Sequence, residues 1–258
     1  MSGDDIRDQL NGRRVLITGA SSGIGAAVAT RFGAVGAHVC VHYNSNRQGA
    51  EAVVAAVTAA GGKAVALQGD LAQRGAATSA IADAARALGG LDVLVNNAGD
   101  MLERRALEAV GDDELDRMID LNVRPTVLAC AAAIPLLRQS RGCIINVTSI
   151  SAHSGSSAGA NLYAASKGFL ATYTHGLARE LAPEQIRVNA VAPGIIDTPL
   201  HARRTPAHLY QSFANSIPMA RVGTADECVG AFLFLACPLL SGYVTGQIID
   251  VNGGQYMA

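Results

Sequence analysis

A short apolar run that leads directly into a glycine-rich turn limits the possible folds of this chain most strongly. Residues 13–18 (RRVLIT) have the composition of a strand buried on both faces, and residues 19–25 (GASSGIG) follow without a linker. A helical pattern then continues to about Ala34. Strand, glycine turn and helix begin a nucleotide-binding βαβ unit, in which the helix N-terminus donates amide hydrogens to a pyrophosphate. The glycine spacing is G-x-x-x-G-x-G and not G-x-G-x-x-G, so a plain glycine turn remains the alternative.

The same alternation of short apolar runs and helical stretches continues along the chain. It predicts an α/β fold with a doubly wound, seven-stranded parallel sheet and helices on both faces. No linker or repeat divides the sequence, so we expect a single domain over residues 1–258. The polar insertion at 199–222 is expected to be an irregular loop that closes over a substrate. After the first unit, the expected strands are 38–43, 63–68, 91–96, 142–148, 187–192 and 247–251, and the expected helices are 51–60, 73–88, 112–139, 163–181 and 226–236.

Charge and composition exclude several classes of function. The 258 residues carry a net charge of −1, so no global field draws the protein to nucleic acid or to an acidic membrane. No uninterrupted apolar run reaches the roughly 18 residues of a membrane span, and the polar N-terminus does not have the composition of a signal peptide. The five cysteines are scattered without a C-x-x-C pair. We therefore expect a cytoplasmic protein with buried free thiols and no metal site.

The residues after the second expected strand indicate which dinucleotide the protein binds. In NAD-binding folds an acid about 20 residues past the glycines holds the ribose 2′-hydroxyl. Here the first acid after the strand is Glu51, and Asn44, Ser45 and Arg47 precede it. Their amide, hydroxyl and guanidinium groups suit a 2′-phosphate, and a charge-assisted hydrogen bond of this kind is worth roughly 1.5–3 kcal/mol. The stretch therefore favours NADP over NAD, and a solvated polar loop is the alternative.

Tyr163 and Lys167 have the spacing of a proton-transfer pair. Four residues apart on a helix, the two side chains lie on one face, about one turn from each other. A phenol titrates near 10, so proton transfer from it at neutral pH is uphill by roughly 4 kcal/mol. A fixed ammonium beside the phenol favours the phenolate and narrows that gap. The pair predicts acid/base chemistry, although a packed tyrosine beside a solvated lysine has the same spacing.

Taken together, the motifs resemble the short-chain dehydrogenase/reductase family along nearly the whole chain. In the family's order and spacing, the matching residues are Thr18–Gly25, Asp70-Leu71, Asn96–Gly99, Asn122, Ser149, Tyr163 with Lys167, Pro193-Gly194 and Tyr243–Gln247. The sequence is similar to 3-oxoacyl-carrier-protein reductases and to glucose dehydrogenase-like members. The resemblance implies a Rossmann fold and an NADP-dependent oxidoreductase that transfers a hydride between nicotinamide and a small carbonyl or secondary alcohol substrate.

The resemblance implies catalytic roles for four residues. Tyr163 exchanges a proton with the substrate oxygen, and Ser149 hydrogen-bonds that oxygen. Lys167 holds the nicotinamide ribose and lowers the pKa of the tyrosine. Asn122 shapes its helix and holds a water that links Lys167 to solvent. From the residues alone, Asn122 could equally be a structural asparagine with satisfied hydrogen bonds.

The position of the serine departs from the family's usual pattern. The serine usually lies 13 residues before the tyrosine, whereas Ser149 lies 14 and Ser151 lies 12 residues before Tyr163. We favour Ser149 because it stands at the end of an expected strand. The extra residue is then expected within 152–161, where it alters the substrate pocket.

The resemblance also implies which residues contact the cofactor. The glycine turn takes the pyrophosphate, Asp70 and Leu71 face the adenine, and Asn96 supports the adenosine ribose. The residues after the sixth strand line the nicotinamide. Besides Asn44, Ser45, Arg47, Tyr163 and Lys167, the implied cofactor-binding residues are Gly19, Ser21, Ser22, Gly23, Ile24, Gly25, Asp70, Leu71, Asn97, Ala98, Gly99, Pro193, Gly194, Ile196 and Thr198.

Two other functions stay open. A 3-oxoacyl-carrier-protein reductase would need basic residues to dock the carrier; none lies between Arg124 and Arg138, although Arg203 and Arg204 could substitute. A catalytically silent nucleotide-binding sensor is the other alternative, but such relatives usually lack the tyrosine or the lysine. Three histidines in the expected loops either touch the substrate or lie exposed in solvent: His153, His201 and His208.

Small residues on two helices bear on the oligomeric state. Residues 112–139 and 162–182 are rich in alanine and glycine, which permits close packing of helices. In the family these two helices pair across a two-fold axis, so the resemblance implies a homotetramer. Packing within one chain is the alternative.

Overall fold

Seven parallel strands form the central sheet, which confirms the predicted fold class. The structure is a computed structural model and describes residues 3–205 and 207–257. The sheet order is β3-β2-β1-β4-β5-β6-β9, and β7 pairs with β8 in a separate small sheet. The strands are β1 (Arg14–Ile17), β2 (His38–Tyr43), β3 (Lys63–Gln68), β4 (Val93–Asn96), β5 (Cys143–Val147), β6 (Arg187–Pro193), β7 (Ile196–Asp197), β8 (Gly223–Thr224) and β9 (Ile248–Val251).

Helices cover both faces of the sheet. In the described chain α2, α3 and α11 pack on one face, and α4, α6 and α8 pack on the other. Two 3₁₀ turns lie at Leu107–Ala109 and Ala182–Glu184. The helices are α1 (Gly3–Leu10), α2 (Gly23–Ala34), α3 (Arg47–Ala59), α4 (Ala76–Leu88), α5 (Asp112–Asn122), α6 (Arg124–Ser140), α7 (Ser151–Ser154), α8 (Asn161–Leu181), α9 (Pro199–Arg204), α10 (Ala207–Ser216), α11 (Ala225–Ala236) and α12 (Pro238–Ser241).

The strands are continuous apolar runs because each one contributes side chains to two hydrophobic cores, one on each face of the sheet. Val15 and Ile17 of β1 pack into the core that contains Phe32 and Phe232, whereas Leu16 between them packs into the opposite core. Successive side chains of a strand point to opposite faces of the sheet, so both sets must be apolar. Each fully buried large side chain contributes roughly 1.5–3 kcal/mol. The strand order reverses between β1 and β4, and ligands bind at the carboxyl ends of strands at such a point.

The stretch predicted to be helical over 112–139 is helical, and it consists of two helices that meet at Val123. α5 ends at Asn122 and α6 begins at Arg124, with Val123 between them at φ −104° and ψ −61°. Pro125 accounts for the break: it has no amide hydrogen, its ring clashes with the preceding turn, and it disfavours helical backbone at Arg124. The break leaves Asn122 at the end of a helix, where its side chain turns back toward the sheet.

The polar insertion is helical and not irregular as predicted. α9 and α10 lie within it, and the short ladder of β7 and β8 closes its base by pairing Ile196 with Gly223 and Asp197 with Thr224. α9 begins with Pro199 in its first turn, which suits a helix start because the missing amide hydrogen has no partner there. The insertion is therefore a compact unit that stands over the carboxyl edge of the sheet.

One helical segment of the described chain has the length and hydropathy of a membrane span. It runs from Asp112 to Ser140 and comprises α5 and α6. In the structure this segment is interrupted at Val123, and it packs against α4 and α8. The core helices of compact α/β domains commonly have this composition, since one side of each is buried.

Candidate active site

The glycine turn and the loop after β4 are fixed to each other. Gly19 has φ +62°, and a Cβ built on it would lie 3.0 Å from Ala98 Cα, so only glycine fits there. Thr18 Oγ1 accepts hydrogen bonds from the backbone nitrogens of Asn97 (2.9 Å) and Ala98 (3.0 Å). Asn97 Nδ2 donates in return to the backbone oxygens of Thr18 and Gly19 (2.9 and 3.0 Å). Close contact at this crossing explains why both stretches consist of small residues.

The first turn of α2 can accept a phosphate. Gly23 has φ +57°, and the N-cap residue Ser22 makes no capping hydrogen bond with its side chain. The first turn contains no acid, so no carboxylate occupies its free amide hydrogens. Gly25 lies two residues further, where an added Cβ would come within 2.5 Å of Asn97 Nδ2. Gly25 thus permits close packing of the helix, while the residues before it face the cavity.

The proton-transfer pair stands beside the end of β5. Ser149 follows β5, and Tyr163 lies in the first turn of α8. The buried ammonium of Lys167 donates to the backbone oxygen of Val147 (2.9 Å) and lies 5.7 Å from the centre of the Tyr163 ring. Ser149 is close enough to Tyr163 to act on the pKa of its phenol, and Ser149 Oγ accepts from the backbone nitrogen of Ser151 (3.1 Å). The favoured serine is therefore the one placed beside the tyrosine.

The pKa of Tyr163 is raised overall, and the lowering by Lys167 that the resemblance implies remains a prediction. Burial raises the pKa of Tyr163 to about 12, although the hydrogen bond from Ser149 acts to lower it, and the charge of Asp100 raises it further. Burial also lowers the pKa of Lys167 to about 8. Desolvation disfavours the charged form of each group, and it is the largest cause of both shifts.

Asn122 acts through the backbone near the pair. Its Oδ1 accepts from the nitrogen of Asp100 (3.2 Å), and its Nδ2 donates to the oxygens of Asp100 (3.0 Å) and Met118 (3.3 Å). A Cβ added to Gly99 would lie 2.6 Å from Asn122 Oδ1 and 3.4 Å from Lys167 Nζ. Asn122 therefore positions the loop that borders Lys167, and it does not line the cavity. The water implied between Asn122 and Lys167 remains a prediction.

A cavity of about 670 Å³ joins the glycine turn to the tyrosine. This volume lies within the range of small-molecule and cofactor sites, roughly 300–1,000 Å³. The predicted residues that line it are Gly19, Ser21, Ser22, Gly23, Ile24, Asn44, Ser45, Asn97, Ala98, Gly99, Ser149, Tyr163, Lys167, Pro193, Gly194, Ile196 and Thr198.

Several predicted cofactor contacts lie outside the cavity lining. Arg47 is the first residue of α3, since Asn46 caps that helix by accepting a hydrogen bond from Gly49 N (3.1 Å). The Arg47 guanidinium donates to Gln68 Oε1 (3.1 Å). The Asp70 carboxylate accepts a hydrogen bond from the backbone nitrogen of Ala72 (3.1 Å). The next residue, Leu71, is buried. Neither Arg47, Asp70 nor Leu71 lines the cavity.

The structure does not support the role implied for Asn96. Its Nδ2 donates to Asn146 Oδ1 (2.9 Å), and Asn146 in turn donates to Thr174 Oγ1 (3.0 Å). All three side chains are buried between the sheet and α8. Asn96 is a structural residue, because strand alternation turns it into the core while the next residue, Asn97, faces the glycine turn.

Charged residues that the motifs do not include complete the cavity. Asp100 directly follows the loop after β4, and both of its carboxylate oxygens accept from Arg204 of α9 (2.9 and 3.1 Å). Arg104 and Arg203 also line the cavity. The only signal in the sequence for Asp100 and Arg104 is the group of charged residues that follows the fourth strand, whereas Arg203 was named from the sequence only as a possible docking residue.

The histidines named from the sequence have different surroundings. His201 lines the cavity and shares a 3.0 Å hydrogen bond with Thr205 Oγ1, and burial lowers its pKa. His153 is exposed and stacks on Tyr256 with ring centres 4.5 Å apart. His208 lies outside the residues whose side chains the structure describes.

A glycine-lined phosphate cradle, a Ser–Tyr–Lys arrangement and a parallel sheet together define a nicotinamide-dependent oxidoreductase. Residues 19–255 match the family described as enoyl-(acyl carrier protein) reductase. The 3-oxoacyl-[acyl-carrier-protein] reductase of Synechocystis sp. is 37% identical over 249 residues, which cover 96% of this chain and 98% of that protein.

Solved structures agree with the sequence comparison. An NADH-dependent reductase, A1-R′, responsible for alginate metabolism has a TM-score of 0.90 at 36% identity, covering 98% of this chain and 100% of that one. A short-chain dehydrogenase from Burkholderia cenocepacia in complex with NADP has a TM-score of 0.89 at 37% identity, covering 96% and 99%. The chain belongs to the short-chain dehydrogenase/reductase family and is an NAD(P)-dependent enzyme.

Proposed function

We propose that the protein is a carbonyl reductase or alcohol dehydrogenase that prefers NADP(H) and acts on a small carbonyl or secondary alcohol. One observation carries this proposal: Ser149, Tyr163 and Lys167 line the same cavity as the glycine turn. Residues of the glycine turn would hold the pyrophosphate of a dinucleotide in this cavity, and Tyr163 and Lys167 line its other end. The family shows the type of reaction, and the substrate and the cofactor preference are the parts we propose.

The site's own residues supply the proton and the orientation. When bound, the nicotinamide cofactor donates or accepts the hydride. With a pKa of about 12, Tyr163 is protonated at neutral pH and can donate its proton to a carbonyl oxygen as that oxygen gains charge. Ser149, which lines the cavity beside Tyr163, can donate a hydrogen bond to the same oxygen and hold it in place. Lys167 stabilises the phenolate that remains, because its ammonium lies 5.7 Å from the ring centre.

The preference for NADP rests on the end of β2. Asn44 and Ser45 line the cavity, and neither is an acid that would bind a ribose 2′-hydroxyl and repel a 2′-phosphate. Arg47 lies on the first turn of the neighbouring helix, where its guanidinium lies 6.0 Å from the centre of the Tyr43 ring. Its ion pair with Glu51 (3.8 Å) and its hydrogen bond to Gln68 (3.1 Å) are both exposed, so the guanidinium can exchange them for a phosphate at little cost.

Consumption of NADPH and NADH with a panel of ketones and aldehydes tests the proposal. We expect turnover with a higher kcat/KM for NADPH, and we expect Tyr163→Phe to reduce kcat at least a hundredfold while NADPH still binds. Tyr243→Phe is the matched control, since that ring is fully exposed to solvent. Turnover that survives Tyr163→Phe on every active substrate would contradict the mechanism.

A 3-oxoacyl-carrier-protein reductase is the second candidate, and the Synechocystis relative supports it. Docking of an acidic carrier needs basic residues at the cavity mouth. Arg203 is exposed there, whereas Arg204 is bound to Asp100. Equal kcat/KM values for a 3-oxoacyl group on the carrier protein and on a short thiol would count against this candidate, because they would show no contribution from the carrier.

We also propose a cytoplasmic homotetramer. All five cysteines are free and buried, as the sequence predicts, and this suits a reducing compartment. Phe169 on α8 is 46% exposed and Leu115 on α5 is 43% exposed, so apolar side chains remain on the outer faces of both helices. Sedimentation velocity at several protein concentrations tests the assembly.

A further inference from the structure

The charges in the cavity are unbalanced. Its charged lining consists of the carboxylate of Asp100 and the cations Arg104, Lys167 and Arg203. Asp100 does not compensate any of these three, because Arg204 binds both of its oxygens. Lys167 is committed to the catalytic pair. The arginines therefore give the cavity an excess positive charge that the protein's own carboxylates leave unmatched.

Arg104 is held in place by neutral groups. Its Nη1 donates to Ser157 Oγ (2.8 Å) and to the backbone oxygen of Ala158 (3.2 Å), and its Nη2 lies 3.7 Å from Met101 Sδ. Its Nε is buried without a hydrogen-bond partner. Among the described side chains, no carboxylate lies within ion-pair distance of Arg104. A half-buried guanidinium without an anion is unfavourable unless a ligand supplies one.

The position of Arg104 indicates that its side chain contacts the substrate and not the cofactor. The partners Ser157 and Ala158 belong to the loop between Ser149 and Tyr163, at the catalytic end of the cavity and not at the glycine turn. Its backbone is fixed as well, since the nitrogen of Arg105 donates to the oxygen of Gly159 (3.0 Å). On the other side its charge reaches His201 of the insertion, whose pKa it lowers in addition to the effect of burial.

We infer that the substrate carries an oxyanion, a carboxylate or a phosphate ester, and that Arg104 binds it. This inference rests on the proposed function, because it names the substrate class of the same site. Guanidinium donors form a fixed, planar fork that matches an oxyanion, and hydrogen bonds between ionised groups are the strong ones. Arg104 thus selects acids over neutral ketones and orients them relative to Tyr163. Arg203, exposed on the insertion, adds to the attraction.

Matched substrate pairs test the inference. We would compare oxo acids with their methyl esters, and dihydroxyacetone phosphate with dihydroxyacetone, in NADPH-dependent reduction. The wild-type enzyme should favour the anion of one pair at least tenfold in kcat/KM. The pair that shows the preference distinguishes a carboxylate from a phosphate.

Variants of Arg104 identify its role. Arg104→Gln should lower kcat/KM for the anion at least tenfold more than for its neutral partner, and Arg104→Lys should restore part of the difference. Arg105→Gln is the matched control, because Arg105 pairs with Glu114 (3.5 Å) and does not line this cavity. An anion preference that is absent in the wild type, or unchanged in Arg104→Gln, overturns the inference while turnover of neutral ketones leaves the proposed function standing.

Binding supplies a readout that does not depend on turnover. If no ketone is reduced, the proposed function fails, and the inference is then decided by thermal shift with an oxo acid or dihydroxyacetone phosphate. Stabilisation of the wild type that disappears in Arg104→Gln supports an oxyanion site. Equal shifts in both proteins overturn it.

Discussion

At the scale of single residues, burial sets the protonation states that the chemistry needs. Tyr163 has a pKa raised to about 12 and stays neutral, which is the state required to donate a proton during reduction. Lys167 has a pKa lowered to about 8, so it loses its charge at mildly alkaline pH. The lysine, and not the tyrosine, therefore limits the reduction reaction as pH rises.

This difference predicts the pH profile. The kcat/KM for reduction should be level at neutral pH and fall as pH rises through about 8, where Lys167 loses the proton that stabilises the phenolate. Lys167→Arg keeps its charge at that pH and should remove this fall, even if its absolute rate is lower. Initial rates from pH 6 to 10 provide the measurement. A fall at the same pH in both proteins would show that another group is responsible.

At the scale of elements, one ion pair connects the insertion to the catalytic loop. Arg204 at the end of α9 binds Asp100, which in turn holds its backbone against Asn122. Both side chains are partly buried, with exposed fractions of 26% for Arg204 and 21% for Asp100. Bidentate pairs of this kind are stronger than exposed single contacts. The pair thus fixes α9 over the cavity.

Breaking this pair should affect binding more than chemistry. Arg204→Gln is expected to raise the substrate KM severalfold with a smaller change in kcat, because α9 would no longer be fixed over the cavity. A double-mutant cycle with Asp100→Asn, followed by urea unfolding, should give a coupling energy of about 1 kcal/mol or more. Arg86→Gln is the control, since its pair with Asp83 is exposed and distant from the cavity. Additive effects of the two substitutions would contradict the role of the pair.

Elements whose signal is local could be predicted from the sequence. The bounds of β2 and β3 agree with the prediction because each is a continuous apolar run that ends in polar residues. The break at Val123 follows from Pro125, which is visible in the sequence. The helices of the insertion could not be predicted locally, because they depend on the sheet edge beneath them. In the site, motif spacing located Tyr163 and Lys167, and the end of an expected strand located Ser149.

Features that depend on distant contacts could not be predicted. Asp100 and Arg204 are 104 residues apart, and nothing local marks them as partners. Asn96 and Asn97 are neighbours of the same type, and only the register of β4 decides which one turns into the core. The direction in which the Tyr163 pKa shifts could not be predicted either, because it depends on how completely the fold buries the ring.

At the scale of the whole molecule, a buried histidine links the sheet to the glycine turn. His42 lies in β2, and its Nδ1 accepts a long hydrogen bond from the nitrogen of Gly19 (3.4 Å). Its Nε2 is buried without a partner. Burial lowers its pKa from the ordinary 6.5 to about 4. The fold therefore favours the neutral imidazole at this position.

Global stability should fall on mild acidification for this reason. Below pH 6.5 the unfolded chain binds a proton at His42, whereas the folded chain binds it only near pH 4. The contribution is thus fully present above 6.5, and it is lost as pH falls toward 4, by up to about 3 kcal/mol. Urea unfolding at pH 7.5, 6 and 5 measures this loss. His42→Gln should flatten the dependence in this window, whereas His175→Gln, at an exposed position of α8, should leave it unchanged. An equal slope in the wild type and His42→Gln would assign the acid sensitivity to other groups.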